Sequence, residues 1–285
     1  MRKHLSTILF GLIFLVGLSV MLYPTFSNWW NLQHQSRAVT NYKETVAQLD
    51  NSEAEEMLAE AYAYNEQIAE LSSPFVNFDQ ISGYEEILNI SGTGIMGYIS
   101  IPNIKVELPI YHGTGEGVLQ IATGHIQGSS LPVGGENTHA VISGHRGLPS
   151  ARLFTDLDKV VVGDMFTINI LNEVLTYEVE EILVILPTES QYLEIIPGGD
   201  YVTLMTCTPY GVNSHRLLLR SRRIDTVYEN SVIKVSADAV QVDPMKVMPA
   251  VAGVLLVLLM IFWSFSGRRK KNKYLEEMRR KYKYR

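Results

Sequence analysis

The chain has 285 residues, and 46% of them are hydrophobic, which is enough to bury the core of at least one sizeable domain. Its single cysteine, Cys207, excludes an internal disulfide. Its formal net charge of −6 at pH 7 hides an uneven distribution: residues 24–267 hold 12 basic and 28 acidic side chains, whereas residues 268–285 hold ten basic and two acidic ones.

Two hydrophobic segments, residues 5–23 and 247–266, are each long enough to cross a bilayer. No small-residue cleavage site follows the first segment, so we interpret it as an uncleaved anchor in preference to a signal peptide. Positively charged flanks stay in the cytoplasm, so we expect both termini inside the cell and the acidic middle outside. We interpret the short basic tail as a topology marker that is attracted to anionic lipid, and we expect no nucleic-acid partner.

Residues 28–71 are rich in Ala, Glu, Gln and Leu and contain no Gly or Pro, which is typical of helices. Two patterns resemble capping boxes, Asn41 with Glu44 and Ser52 with Glu55. The sequence therefore predicts two helices with a break near residues 50–52. We interpret this region as a helical stalk below the next domain, with a coiled-coil partner site as the alternative.

Residues 72–94 form a long polar connection with scattered aromatic residues, which is typical of a linker or a functional lid. Short β-type runs follow, separated by Gly, Pro and Asn clusters. We predict strands over residues 96–101, 106–111, 118–124, 140–143, 165–171, 175–186, 201–207 and 217–224, and a helical piece near residues 150–157. Eight short strands at this spacing predict a closed barrel or a sandwich.

Cys207 ends an apolar strand that the two hydrophobic segments place outside the cell. A lone exported cysteine is a reactive thiol, one half of an intermolecular bridge or a buried inert residue, and the surroundings favour the first. If the last two strands form an antiparallel hairpin, Arg216 lies almost opposite Cys207. A guanidinium there favours the thiolate and offers donors to an oxyanion, although a surface charge on a strand is an equally good interpretation.

Five histidines lie in the β-rich region, and His145 differs from the others because it directly follows an apolar strand and begins a His-Arg-Gly turn. Catalytic groups favour such strand ends. The histidines do not have the spacing of metal ligands, so we predict no metal site.

The segment Thr203-Leu-Met-Thr-Cys207 and the following Arg216 resemble the Thr-Leu-x-Thr-Cys signature of sortases. Ser143-Gly-His145 is similar to the histidine motif of that family. The resemblance covers roughly residues 30–265. The second hydrophobic segment and the helical region before the barrel are similar to class C sortases, the pilin polymerases of Gram-positive bacteria.

The resemblance implies a mainly β fold: a closed eight-stranded sortase-type barrel with N-terminal helices, flanked by two transmembrane helices. It also implies three roles. Cys207 attacks the Thr–Gly carbonyl of an LPXTG-type sorting signal, His145 is the general acid and base, and Arg216 stabilises the oxyanion. The implied partners are pilin subunits that carry such a signal and an acceptor lysine, and no cofactor is implied.

Class C sortases typically carry a lid with an Asp-Pro-aromatic motif, and the matching residues here are Ser73, Pro74 and Phe75. Ser73 lacks the carboxylate, so we expect a weaker or more mobile lid in which Phe75 covers Cys207. A plain surface loop is the alternative.

The expected order is a cytoplasmic start (1–4), a transmembrane anchor (5–23), a helical stalk (24–71), a lid-like loop (72–94), the barrel (95–230), a linker (231–246), a second transmembrane helix (247–266) and a basic cytoplasmic tail (267–285). Three other functions use the same features: a housekeeping-type sortase that attaches proteins to the cell wall, a non-catalytic scaffold that binds pilins, and a thiol protease.

Overall fold

The computed structural model describes residues 2–226, and the side chains from residue 9 onward. Eight strands form in this range: β1 (Ile95–Ile101), β2 (Val106–His112), β3 (Thr123–His125), β4 (Thr138–Gly144), β5 (Met165–Ile170), β6 (Glu173–Ile185), β7 (Asp200–Thr208) and β8 (His215–Ile224). Four helices accompany them: α1 (Arg2–Val46), α2 (Asn51–Glu70), α3 (Pro74–Asn77) and α4 (Glu116–Leu119).

The strands close into a barrel in the order β1-β2-β3-β4-β7-β8-β6-β5. The pairs β2/β3 and β4/β7 are parallel, and the other pairs are antiparallel. Alternate residues point into the barrel, where Ile99, Ile142, Phe166 and Leu204 are fully buried. The expected closed eight-stranded barrel is thus confirmed.

Two sequence expectations within the barrel were wrong. The stretch 118–124 is not one strand, because α4 occupies its beginning and only β3 forms at its end. Gly115 serves as the N-cap of α4, and Val118 and Leu119, the first apolar residues of the stretch, belong to this short helix. No α-helix forms over residues 150–157, where the chain makes turns and then a single 3₁₀ turn at Leu157–Lys159.

The break between the first two helices falls where the sequence predicted it. α1 ends at Val46 and α2 begins after Asp50, whose backbone N–H donates to the Glu53 carboxylate at 3.2 Å. The capping residues are thus Asp50 and Glu53, not Ser52 and Glu55. Asn41, the other expected cap, lies inside α1.

α2 is not a separate stalk, because its apolar face is part of the barrel core. Ala61, Tyr64 and Ile68 are almost completely buried in the same cluster as the strand residues. The Asn65 side chain accepts the backbone N–H of Leu131 at 2.6 Å and donates to the Leu131 carbonyl at 3.1 Å. Helical spacing of apolar residues identified this face correctly, but spacing alone does not say what the face contacts.

The second half of α1 is fixed to the barrel by a buried tyrosine. The Tyr42 hydroxyl donates to the Met96 carbonyl at 3.1 Å and accepts the Leu171 N–H at 2.8 Å. Burial raises the pKa of this hydroxyl, which therefore stays protonated and able to donate.

Replacing Tyr42 with Phe is expected to lower the free energy of unfolding by about 1–3 kcal/mol, because two buried backbone groups lose their partner. Urea unfolding followed by circular dichroism measures the change. The matched control is Tyr64→Phe, because the buried Tyr64 hydroxyl has no hydrogen-bond partner among the described residues. An equal loss in both variants would contradict this account of Tyr42.

The compact unit that contains the barrel begins at Phe26, inside α1. Within residues 2–226, one helix is long and apolar enough to cross a bilayer, and it is α1. The second predicted span (247–266), the linker (231–246), the basic tail (267–285) and the last residues of the predicted barrel domain lie outside the described residues.

Candidate active site

Cys207 lies near the end of β7 and is half-buried. Because side chains alternate along a strand, Cys207 shares a face with Thr203 and Met205, while Val202 and Leu204 point into the barrel core. The thiol is therefore on the outer wall of the barrel, where a substrate can approach it.

Arg216 lies directly across the ladder from Cys207, as the hairpin predicted. Its guanidinium donates to two backbone carbonyls of its own loop, at 3.3 Å to Asn213 and 3.1 Å to His215. These bonds, both from Nη1, hold the guanidinium against the loop that follows Cys207. A guanidinium at this end of the hairpin can stabilise an oxyanion that forms on a carbonyl bound to the sulfur.

His145 directly follows β4, the strand that runs parallel to β7. The register pairs Ser143 with Met205, and continuing it by two residues would set the backbone of His145 opposite that of Cys207. The Thr206 hydroxyl ties the two strand ends together by donating to the Gly144 carbonyl at 2.7 Å. The carboxyl ends of two neighbouring parallel strands thus carry the histidine and the cysteine.

The turn that holds His145 depends on close packing. A Cβ on Gly144 would lie 2.7 Å from the ring of Phe154, so only glycine allows this approach. The backbone N–H of Phe154 donates to the His145 carbonyl at 3.1 Å. Phe154 is itself fully buried, so the core fixes the position of the histidine backbone.

The other buried histidines have structural roles. His125 contacts the Tyr84 hydroxyl at 2.9 Å and the Ser130 carbonyl at 2.8 Å. His139 contacts the Glu194 carbonyl at 2.8 Å and the Thr203 hydroxyl at 2.7 Å. Both nitrogens of each ring are therefore occupied.

The two remaining histidines near the site are also engaged. Both ring nitrogens of His112 contact backbone carbonyls, and the His215 ring contacts the Ser214 hydroxyl at 2.8 Å. Of the barrel histidines, His145 is half-buried and has no ring hydrogen bond within residues 2–226. It is thus the imidazole with nitrogens available for proton transfer.

Burial lowers the pKa of His125 and of His139 from 6.5 to about 4 in each case. A lowered folded-state pKa means that the unfolded chain takes up protons first, so stability is present above pH 6.5 and is lost as the pH falls. Between pH 7 and pH 5 we expect each histidine to reduce the free energy of unfolding by about 2 kcal/mol. Urea unfolding of the protein at both pH values tests this, and equal midpoints would contradict it.

Sequence reasoning missed Arg146. Its guanidinium forms an ion pair with the Asp158 carboxylate and lies 3.4 Å from the hydroxyl of Thr208, the residue after Cys207. It also lies 5.8 Å from the ring centroid of Tyr210. The one signal in the sequence was its place next to His145. Its contacts with Asp158, Thr208 and Tyr210 arise only in the folded chain, so no local pattern predicts them.

A small apolar cluster lies on the outer wall, on the face that carries Met205. Its buried members are Val141, Ile185, Leu193 and Leu218, and Ile126, Leu183 and Met205 pack against them. Phe75 packs into this cluster. The aromatic ring of the predicted lid thus lies on the wall that carries Met205, two residues before Cys207.

The predicted lid segment, residues 72–94, has two different halves. Residues 74–80 form α3 and a 3₁₀ turn with no buried side chain. From Ile81 onward the chain is anchored, because Ile81, Tyr84 and Leu88 are buried in the barrel core. A movable lid is thus restricted to residues 72–80.

The first half of the predicted lid segment, residues 72–80, lies close to the backbone of Gly128. A Cβ there would lie 2.7 Å from the Pro74 carbonyl oxygen and 3.0 Å from the Phe75 Cα. Ser73, just before α3, has a left-handed backbone with φ of 54°. The segment thus fits closely over residue 128.

Comparisons with known proteins agree with this geometry. Residues 99–224 match the model of the sortase domain family. The crystal structure of sortase C1 from Streptococcus agalactiae is 46% identical, with a TM-score of 0.61, and the match covers 67% of this chain and 100% of that one. A lid mutant of that sortase C1 matches with 44% identity. Sortase C from Streptococcus pneumoniae, described for its pilin substrate specificity, is 44% identical, with a TM-score of 0.59, and covers 67% of this chain and 97% of its own.

A curated relative, sortase A of Streptococcus agalactiae, is 32% identical over 117 residues, which are 40% of this chain and 47% of that protein. The chain therefore matches about half the length of this relative. A closed barrel that carries a cysteine, a histidine and an arginine at one end is the arrangement expected of a cysteine acyltransferase. The chain belongs to the sortase family, whose members are cysteine transpeptidases, and its similar solved structures include class C enzymes.

Proposed function

We propose that this protein is a pilin-polymerising transpeptidase of class C. The observation that supports the proposal is the placement of three residues at one end of the barrel: Cys207 near the end of β7, Arg216 paired with it across the hairpin, and His145 directly after the parallel strand β4. Resemblance to sortase C1 over the whole length of that structure supports the proposed substrate class.

In the first half-reaction, the Cys207 thiolate attacks the carbonyl carbon between Thr and Gly of an LPXTG-type signal. Arg216 stabilises the oxyanion of the tetrahedral intermediate. The C–N bond breaks, His145 donates its proton to the leaving glycine amine, and a thioacyl enzyme remains.

In the second half-reaction, a lysine amine of another pilin attacks the thioester carbonyl. His145 accepts the proton of this amine, the C–S bond breaks, and Cys207 leaves as the thiolate. The product is an isopeptide bond between two subunits. The residues of this chain supply the nucleophile, the base and the oxyanion donor, and no cofactor enters the proposed reaction.

The proposed location is the cell membrane, with the barrel outside and both termini in the cytoplasm. The apolar part of α1 is the proposed anchor, and residues 247–266 are the proposed second span. The basic tail supports this orientation, because positively charged flanks stay inside.

We propose that residues 72–80 act as the lid. Phe75 packs against the apolar cluster of the outer wall, and Met205, two residues before Cys207, packs against the same cluster. The Pro74–Phe75 backbone fits closely over Gly128. Ser73 cannot supply the carboxylate of the Asp-Pro-aromatic motif, so the proposed lid depends on the packing of Phe75 against the apolar cluster.

The test of the function is co-expression with an LPXTG-bearing pilin in a host that lacks other pilin sortases, with Cys207→Ala as the control. The expected result is a ladder of multimers that resists denaturing gels and disappears in the variant. Pilin linked to wall fragments without a ladder would indicate a housekeeping-type sortase, and free cleaved pilin would indicate a protease. Capture of pilin with neither product would indicate a scaffold.

A further inference from the structure

The residue after His145 is a buried cation with an unusual set of contacts. The Arg146 side chain is 9% exposed, and its Nε is buried without a hydrogen-bond partner among the described residues. Burying an incompletely satisfied guanidinium disfavours folding, and an apolar side chain of similar size avoids that penalty. Packing alone is therefore a poor reason for an arginine here.

Its contacts connect the two halves of the candidate site. On one side Arg146 is joined by the chain to His145. On the other, its guanidinium reaches the hydroxyl of Thr208 at 3.4 Å, and Thr208 is joined by the chain to Cys207. The Arg146 side chain thus connects the residue after His145 with the residue after Cys207.

Two further groups hold the guanidinium in place. Asp158 provides a carboxylate for an ion pair. The Tyr210 ring lies with its centroid 5.8 Å from the guanidinium carbon, within reach of a cation–π contact. The same ring packs against the turn itself, because a Cβ on Gly147 would lie 2.9 Å from Tyr210 Cε2.

A second arginine in the same loop shows that this arrangement is specific. Arg152 also pairs with a carboxylate, that of Asp156, but its side chain is 63% exposed. The structure gives Arg152 no contact with β7 or with the loop after it. The pair Arg152–Asp156 is therefore a matched local control for the pair Arg146–Asp158.

We propose that Arg146 is a positioning residue for acyl transfer, which, held by Asp158 and Tyr210, sets the separation of the His145 imidazole from the Cys207 thiol. The inference rests on the proposed Cys–His chemistry. Arg146 itself does not touch the reacting atoms. Proton transfer depends steeply on separation, so a shift of about 1 Å is enough to slow it.

The test uses the full-length chain in detergent micelles and three substitutions: Arg146→Gln, Asp158→Asn and the control Arg152→Gln. With a fluorescent LPXTG peptide, we expect kcat to fall about 10- to 100-fold in the first two while KM stays within about twofold. Arg152→Gln should match the wild type. Arg146→Lys should recover part of kcat, because it keeps the charge that pairs with Asp158.

A second measurement does not depend on peptide turnover. The rate at which iodoacetamide alkylates Cys207 is followed against pH, because this profile reflects the histidine beside the thiol. In Arg146→Gln the profile should move toward that of His145→Ala, whereas in Arg152→Gln it should stay that of the wild type. If it stays unchanged in Arg146→Gln, the inference is wrong, even if the peptide assay shows no activity in any variant.

Two other results would overturn the proposal. One is a lower melting temperature in Arg146→Gln with kcat and the alkylation profile unchanged, which is the behaviour of a purely structural contact. The other is an equal loss of kcat in Arg152→Gln, which would show that any charge removed from the loop has the same effect. Inactivity of the wild type toward every sorting peptide would contradict the proposed function separately, and the alkylation profiles would still decide the role of Arg146.

Discussion

Replacing His145 with Ala is expected to slow cleavage of an LPXTG peptide by a factor of about 10² to 10⁴. Continuing the register of β4 and β7 would set the backbone of His145 opposite that of Cys207, and in the proposed reaction the leaving glycine amine takes its proton from this imidazole. The measurement is kcat/KM with a fluorescent peptide, together with the amount of thioacyl enzyme. The expected result is loss of both acylation and transfer with an unchanged circular dichroism spectrum.

His215→Ala is the matched control, because His215 is also half-buried and pairs with Thr208, the neighbour of Cys207. Its ring contacts the Ser214 hydroxyl and lies on the other side of the hairpin. We expect activity within a few-fold of the wild type. If both variants lost activity equally, or if His145→Ala remained active, the assignment of the base would be wrong.

Replacing Phe75 with Ala is expected to expose the thiol. A Phe-to-Ala change in a core costs about 3–5 kcal/mol, and the half-buried Phe75 should contribute about 1–2 kcal/mol to the closed lid. A change of about 1.4 kcal/mol alters an equilibrium constant tenfold, so the population of the open lid should rise about 5- to 30-fold. The alkylation rate of Cys207 by a bulky maleimide should rise by the same factor.

Gly128→Ala opens the same lid by a different route. Its new methyl group would meet the Pro74 carbonyl at 2.7 Å and push residues 73–75 away. Gly128 has φ of +95°, so the substitution also strains the backbone. Gly163→Ala is the control, because Gly163 has φ of +92° and nothing within 4 Å of the added carbon.

Faster alkylation in Phe75→Ala and Gly128→Ala, but not in Gly163→Ala, would support the lid. Alkylation and peptide cleavage that stay unchanged in all three variants would show that residues 72–80 are an ordinary surface loop. Ser73 supplies no carboxylate, and the exposed Asp79 forms no ion pair among the described residues, so we also expect little dependence of lid opening on salt concentration.

Most strands of the barrel were predictable from the sequence, because the alternation of polar and apolar residues is a local pattern that also determines which side chains are buried in the fold. Val202, Leu204 and Thr206 were assigned to one face of β7, and all three are buried. Pairing of Cys207 with Arg216 followed from the short loop between their strands, since a hairpin fixes its own register. The sequence showed that His145 follows a strand, but it did not show which residues lie near it. That depends on the parallel pairing of β4 with β7, a strand far away in the sequence.

Contacts between segments far apart in the sequence could not be predicted. Tyr42 binds the backbone of Leu171, 129 residues away, and no local pattern encodes that pair. The face of α2 around Tyr64 was recognised as apolar, but its burial against the barrel changes a presumed stalk into part of the core. Arg146 was overlooked for the same reason, since an exposed and a buried arginine look alike in a sequence.

The parallel pairing of β4 with β7 has a consequence for how the enzyme is made. The hydrogen bond between Thr206 and Gly144 joins residues 62 positions apart, and it forms only when β7 pairs with β4. Chains dominated by such distant pairings fold slowly. A newly made chain therefore passes through a period before Cys207 and His145 reach the same end of the barrel, so acquisition of transpeptidase activity should report the pairing of β4 with β7.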